Sequence, residues 1–207
     1  MKFLKVLVKK MFNIQIGAYY GASAYEMNNF FCGIGESEIL PSEIKISKYP
    51  FEPSYAFPER IIKAQEITAI CYDSYPLLLQ IKNEVIFVSR EHYEPLKEFT
   101  KRNAIRTFEA TKNWDWLLEP FIDTEYTEKI DKNITEILVE NGITKYEIKK
   151  IRKEVEQQML KYNFDTMLWE WRGLGLPDVL GAMRVKYNKE EFAEFYNRAM
   201  EIELRTE

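Results

Sequence analysis

Two short apolar runs, Leu77 to Ile81 and Val85 to Ser89, flank the polar link Lys82-Asn83-Glu84. Runs of this length around a tight link predict a β-hairpin. Successive strand residues face opposite ways, and Leu77-Leu78-Leu79 and Val85-Ile86-Phe87-Val88 are apolar at every step, so both faces of this sheet should be covered. Upstream, Ile67 to Tyr72 reads as a strand ended by the turn chemistry of Asp73-Ser74-Tyr75-Pro76. Ile44 to Ile46 reads as another, followed by an irregular connection marked by Pro50, Pro53 and Pro58. Tyr93 to Arg102, with Leu96 and Phe99 three apart, predicts a short helix able to cover the sheet or its open end.

The period changes in the second half. Ile130, Ile134, Ile137 and Leu138 recur at i, i+4, i+7 and i+8, and Gly142 follows, which predicts an amphipathic helix over Glu125 to Asn141 with a left-handed stop. Asp123 or Thr124 is its expected N-cap. Thr144 and Glu147 form a capping box for the next helix, whose inward positions are Ile148, Ile151, Val155 and Met159. The link between these helices is short, so they should form an antiparallel pair. Asn188 and Glu191 repeat the capping logic for a final helix with Phe192, Phe195, Tyr196, Ala199 and Ile202 inside. Glu194 with Arg198 and Glu201 with Arg205 should support its outer face at i,i+4.

The fold class expected is therefore α+β: a small antiparallel strand-rich N-terminal region with a covering helix, followed by a helical C-terminal region. The organisation expected is an N-terminal extension over 1–27, a strand-rich region over 28–105 and a helical region over 106–207. The spacing of Phe57-Pro58, Ile61, Ile62, Ile67 and Ile70, then two apolar strands and a helix, resembles the strand meander of bacterial pleckstrin-homology-like domains over residues 57–102. That resemblance implies a binding scaffold without intrinsic catalysis, and it assigns no binding residue here.

Composition narrows the picture. Among 207 residues, 46% are hydrophobic and 14% aromatic, which suits a folded globular chain rather than a disordered one. Thirty-three acidic against 29 basic side chains give a net charge of -4, which does not favour nucleic acid as partner. Lys145, Lys149, Lys150, Arg152 and Lys153 do cluster, but Glu147 and Glu154 interleave with them, as on a solvated helix face. Two cysteines, Cys32 and Cys71, fit a reducing, cytoplasmic setting, and Cys71 lies in an apolar run where a buried free thiol is expected. Met1 to Lys10 followed by Ala22-Ser23-Ala24 imitates a signal peptide, yet Asn13, Gln15 and Gly17 make the intervening stretch too polar, and no run is long enough for a membrane span.

Candidate chemistry is sparse. The only histidine, His92, falls at a strand-to-helix junction with no nucleophile motif beside it, and is expected on the surface. Gly33 and Gly35, in Phe31 to Ser37, complete neither a phosphate loop nor a dinucleotide fingerprint, so this run is expected to be a plain loop. No Cys/His spacing suggests zinc, and no cofactor motif is present. Glu119, Asp123, Glu125 and Glu128 could make a carboxylate site, although acids around a first helical turn also serve as caps. The densest unusual stretch is Tyr162 to Asp178. There Trp169, Glu170, Trp171, Arg172 and Asp178 are the candidate binding residues, since tryptophan and arginine anchor binding hot spots and Pro177 opens a helix that would mount them.

The functional expectation is a non-enzymatic module that binds a protein partner, one concrete version being a small acidic cytosolic inhibitor or immunity-like protein. The alternative is a hydrolase or transferase, with or without a metal, whose carboxylates from Glu119, Asp123, Asp165, Glu170 and Asp178 converge in three dimensions.

Overall fold

The computed structural model describes residues 33–122, 126–166 and 173–206, with 163–166 described by helical backbone alone. Two three-stranded antiparallel sheets come first. Strands β1 (Glu36–Ile39), β2 (Glu43–Ser47) and β3 (Arg60–Lys63) make one, in that order, and β4 (Ala69–Cys71), β5 (Leu77–Ile81) and β6 (Glu84–Val88) make the other. The β5–β6 register pairs Ile81 with Glu84, which leaves Lys82-Asn83 as a two-residue turn. Lys82 takes φ 53°, as the first residue of the favoured two-residue hairpin turns does.

Strand β1 corrects the expectation of a plain loop through Ser37. Gly35, at φ +81°, delivers the chain into β1, and a Cβ there would lie 2.9 Å from the Ser47 carbonyl oxygen. Its strand carries alternating polar residues, so only its pairing with β2, Glu36 opposite Ser47 and Ile39 opposite Ile44, reveals it.

Six α-helices follow among the described residues: α1 (Tyr93–Arg102), α2 (Asn113–Leu118), α3 (Glu128–Glu140), α4 (Lys145–Thr166), α5 (Leu176–Lys186) and α6 (Lys189–Leu204). Helix α3 starts later than expected, because the cap is Thr127, whose side chain accepts from Ile130 N–H at 3.3 Å. Asp123 and Thr124 lie outside the described residues. Gly142 stops the helix at φ +78°, as the sequence predicts. The Thr144–Glu147 box forms, with Thr144 N–H donating to Glu147 at 2.8 Å and Glu147 N–H donating to Thr144 at 3.2 Å. The Asn188–Glu191 box forms in the same way. Arg205 pairs with Glu201 at 2.9 Å, but Arg198 turns away from Glu194 and bonds Glu154 of α4. Interhelical geometry overrides the i,i+4 pairing there.

The second sheet is buried on both faces, as its doubly apolar strands require. Part of the cover comes from α6, more than 100 residues away in sequence. Tyr196 of α6 stacks near Phe51, whose neighbours are Tyr49 and Phe87, and each such aromatic pair adds about 0.5–1.5 kcal/mol beyond burial. Glu84 at the start of β6 ties the same region together, accepting from Tyr196 O–H at 2.8 Å with one oxygen and from Tyr55 N–H at 2.8 Å with the other. The buried hydrophobic residues of the sheets and of the helices form one contiguous cluster. Helix α1 buries Leu96 and Phe99; Tyr72, just after β4, donates its hydroxyl to the Leu96 carbonyl at 3.2 Å, and Asn103 after the helix donates to the Pro41 carbonyl in the β1–β2 turn at 2.9 Å. Among the described residues no helix is long and apolar enough to cross a membrane.

Candidate functional site

Of the candidate binding residues, Trp169, Glu170, Trp171 and Arg172 lie outside the described residues. Asp178, in the first turn of α5, is committed to holding the chain: it accepts from Gly175 N–H at 2.9 Å and from Tyr162 O–H at 3.0 Å. A capping carboxylate at a helix start needs no further chemistry.

The structure nevertheless gathers carboxylates around that cap: Glu119 and Asp178 belong to the expected set, and Asp115 and Glu203, which the sequence does not single out, join them. Asp115 in α2 feels the charges of Asp178 and Glu119, and Glu203 of α6 feels Asp115. Glu203 sits on the inner stripe of α6, 8% exposed. Burial first, then the Asp115 charge, pushes its carboxyl up to about 8, against the pull of the Trp114 N–H that it accepts at 3.2 Å. Asp115 is pushed up to about 6, again mainly by the protein crowded around it, with Lys112 opposing. Asp115 keeps solvent access all the same, so water screens its charge far better than that of Glu203.

Polar bonds lock the same junction. Asn113, fully buried, donates to the Ile202 carbonyl at 2.7 Å and the Arg205 carbonyl at 3.0 Å, while its own oxygen accepts from Asn141 at 2.8 Å. It thereby gives the Arg205 carbonyl a partner and the Ile202 carbonyl, which already accepts from Arg205 N–H at 3.3 Å, a second one. Trp114 donates its indole N–H to the Ala199 carbonyl at 2.9 Å. Thr111 donates to the Glu203 carbonyl at 2.7 Å. Helix α2 is thus fastened to α6 along its last turns. Such a junction offers a dry acid and a set of structural bonds, and the one carboxylate of this group with open access to water is Asp115.

A second feature lies on α4, whose lysines stand on a solvated face as expected while the two interleaved acids are engaged elsewhere. Glu147 and Glu154 both turn to α6, where Glu147 meets Arg205 at 3.1 Å and Glu154 meets Arg198 and the Tyr187 hydroxyl, the latter at 2.8 Å. Arg152 turns the opposite way, to Asp131 at 2.7 Å and to the Leu117 carbonyl at 3.2 Å. That leaves Lys145, Lys149, Lys150 and Lys153 exposed, and none of them has an ion-pair partner among the described residues. On the same helix Tyr146 is 76% and Leu160 50% exposed. A groove of about 570 Å³ runs between α3 and α4, with Lys145, Lys149 and Arg152 on one wall, Lys132 on the other and Ile148 between.

The remaining sequence candidates hold structural places. His92 ends a 3-10 turn and leads into α1, 3.6 Å from Glu91. Cys71 is a buried free thiol whose sulfur lies 2.8 Å from Asp73 Oδ1; burial, then this hydrogen bond, pushes its pKa up, away from the reactive thiolate. Among the described residues no three His, Cys, Asp or Glu side chains are grouped to hold a metal ion. Comparison with family models, with curated proteins and with solved structures finds nothing that matches this chain.

Proposed function

We propose that this chain is a protein-binding module without catalysis of its own, of the kind that a small acidic inhibitor or immunity-like protein represents. The observation that carries the reading is the outward face of α4, which presents Tyr146 and Leu160 to solvent among unpaired lysines. Large apolar side chains held on a rigid helix are the usual anchors of a protein contact. The scaffold half of the reading draws on the pleckstrin-homology-like resemblance over residues 57–102, a stretch that takes in β3 to β6 and α1. Purification of the tagged chain from its host, beside a Tyr146→Ala/Leu160→Ala variant, tests it. A stoichiometric protein retained by the parent and lost by the folded variant supports the module, whereas identical eluates from the two sink it.

The carboxylate enzyme is the second reading, and it centres on Asp115. Its raised pKa and solvent access suit a general acid more than any other carboxyl of the cluster. A hydrolytic activity found by substrate screening and lost in Asp115→Asn would favour it. Full activity in that variant would remove its basis.

A further inference from the structure

We infer that the lysine face of α4, together with the groove beside it, docks an acidic segment of a partner protein; this rests on the binding-module reading and names the chemistry of the partner. The argument is one of charge sorting. Glu147 and Glu154, which could have neutralised the lysines, are spent on Arg205 just past α6 and on Arg198 within it. Asp131 in the groove is spent chiefly on Arg152 and on the Tyr126 hydroxyl at 2.7 Å, with only a weaker pull on Lys149, and Glu136 lies 3.9 Å from Lys132. Two acids remain nearby: Glu128 at the groove's edge and Glu156 farther along the outward face.

Lys145, Lys149, Lys150 and Lys153 therefore stand together over about 12 Å of helix, at 1.5 Å per residue. Adjacent charges lie well within reach of one another, because the screening length is about 8 Å at physiological salt. They act as one positive field on a chain whose net charge is -4.

Three features favour an acidic protein over a polyphosphate. The cations that are free are lysines, compact point charges, while Arg152, Arg198 and Arg205, whose planar forks suit phosphate, are all engaged internally. The patch is short, and the rest of an acidic molecule repels a long polyanion. Tyr146 at one end and Leu160 two turns beyond the other supply apolar contacts that a protein segment can bury and a phosphate backbone cannot.

The test is fluorescence anisotropy with a labelled peptide of repeating Glu and Leu, beside a counterpart in which every Glu is Gln, at low and high salt. The acidic peptide is expected to bind, to weaken with salt, and to lose about tenfold or more in affinity to a Lys149→Glu/Lys153→Glu variant. Both positions are exposed, so circular dichroism should show an unchanged fold. Equal binding of the Gln peptide, or full affinity in the variant, overturns the inference. So does tighter binding of duplex DNA or of phosphatidylserine vesicles through the same lysines. If a host protein is still captured by the charge-reversed variant but not by Tyr146→Ala/Leu160→Ala, the module stands and its acidic partner does not.

Discussion

Replacing Glu203 with Gln isolates one ionisation in a dry setting. The glutamine retains an oxygen for the Trp114 N–H and has nothing to titrate. In the folded chain the Glu203 carboxyl is pushed up to about 8, from an ordinary value of 4.5. Between these two values the unfolded chain has released the proton and the folded chain still holds it. Stability is then fully present below about pH 4.5, falls as pH rises toward 8, and levels off above it. The slope for one proton is about 1.4 kcal/mol per pH unit, so the parent should lose about 3 kcal/mol by pH 7 and somewhat more by pH 8. Asp115 pushes in the same direction below about pH 6, with a smaller effect because it is solvated. Glu66, Asp73, Asp131 and Glu147 have lowered pKa values and act in the opposite sense, but only in the acid range below their unfolded values. Urea unfolding at pH 5, 6, 7 and 8 measures both proteins over the window that matters. The parent's midpoint should fall steadily, and that of Glu203→Gln should stay nearly flat, crossing above the parent near neutral pH. Equal slopes would refute the buried-acid argument, as would a variant less stable than the parent at pH 8.

Other expectations follow from the same packing. Asn113→Leu removes three buried polar contacts, strands the Arg205 carbonyl and leaves the Ile202 carbonyl only its bond from Arg205 N–H, so thermal unfolding should show a loss of about 2–4 kcal/mol; a change below about 0.5 kcal/mol would mean water replaces the amide. Gly35→Ala sets a Cβ against the Ser47 carbonyl at positive φ and should cost about 1–3 kcal/mol, whereas Gly33→Ala, with positive φ but open space, should cost less; equal effects would deny the close approach. Cys71, in a Cys32→Ser background, should react with a thiol reagent only as fast as the protein unfolds, and rapid labelling of the native form would show it accessible.

Much of the helical half is legible in the sequence because capping and periodicity act locally. Thr144 with Glu147, Asn188 with Glu191, and Gly142 each mark a boundary within a few residues of the atoms they bond. Strand β1 is not legible, since its polar alternation has meaning only once β2 lies beside it. Glu203 did leave a trace: it lies four residues after Ala199 and seven after Tyr196, on the stripe that faces inward. An acid at such a position signals an unusual environment, though the partner that accounts for it, Trp114 N–H, is 89 residues away. The charge sorting on α4 is hidden for a related reason. Spacing along one helix shows Glu154 near Lys150 and Lys153, and only the placement of α6 shows which arginine claims it.

The bridge from Glu84 to Tyr196 spans 112 residues of chain. During synthesis the β5–β6 hairpin therefore leaves the ribosome long before the helix that helps to cover it. In that interval Phe51, packed on Phe87, has no Tyr196 to cover it, and the nascent chain presents an apolar surface that chaperones recognise. A ribosome-bound chain stalled before α6 should bind a hydrophobic-surface dye that a chain including α6 excludes, so that this sixteen-residue helix acts as a late step in covering the sheet.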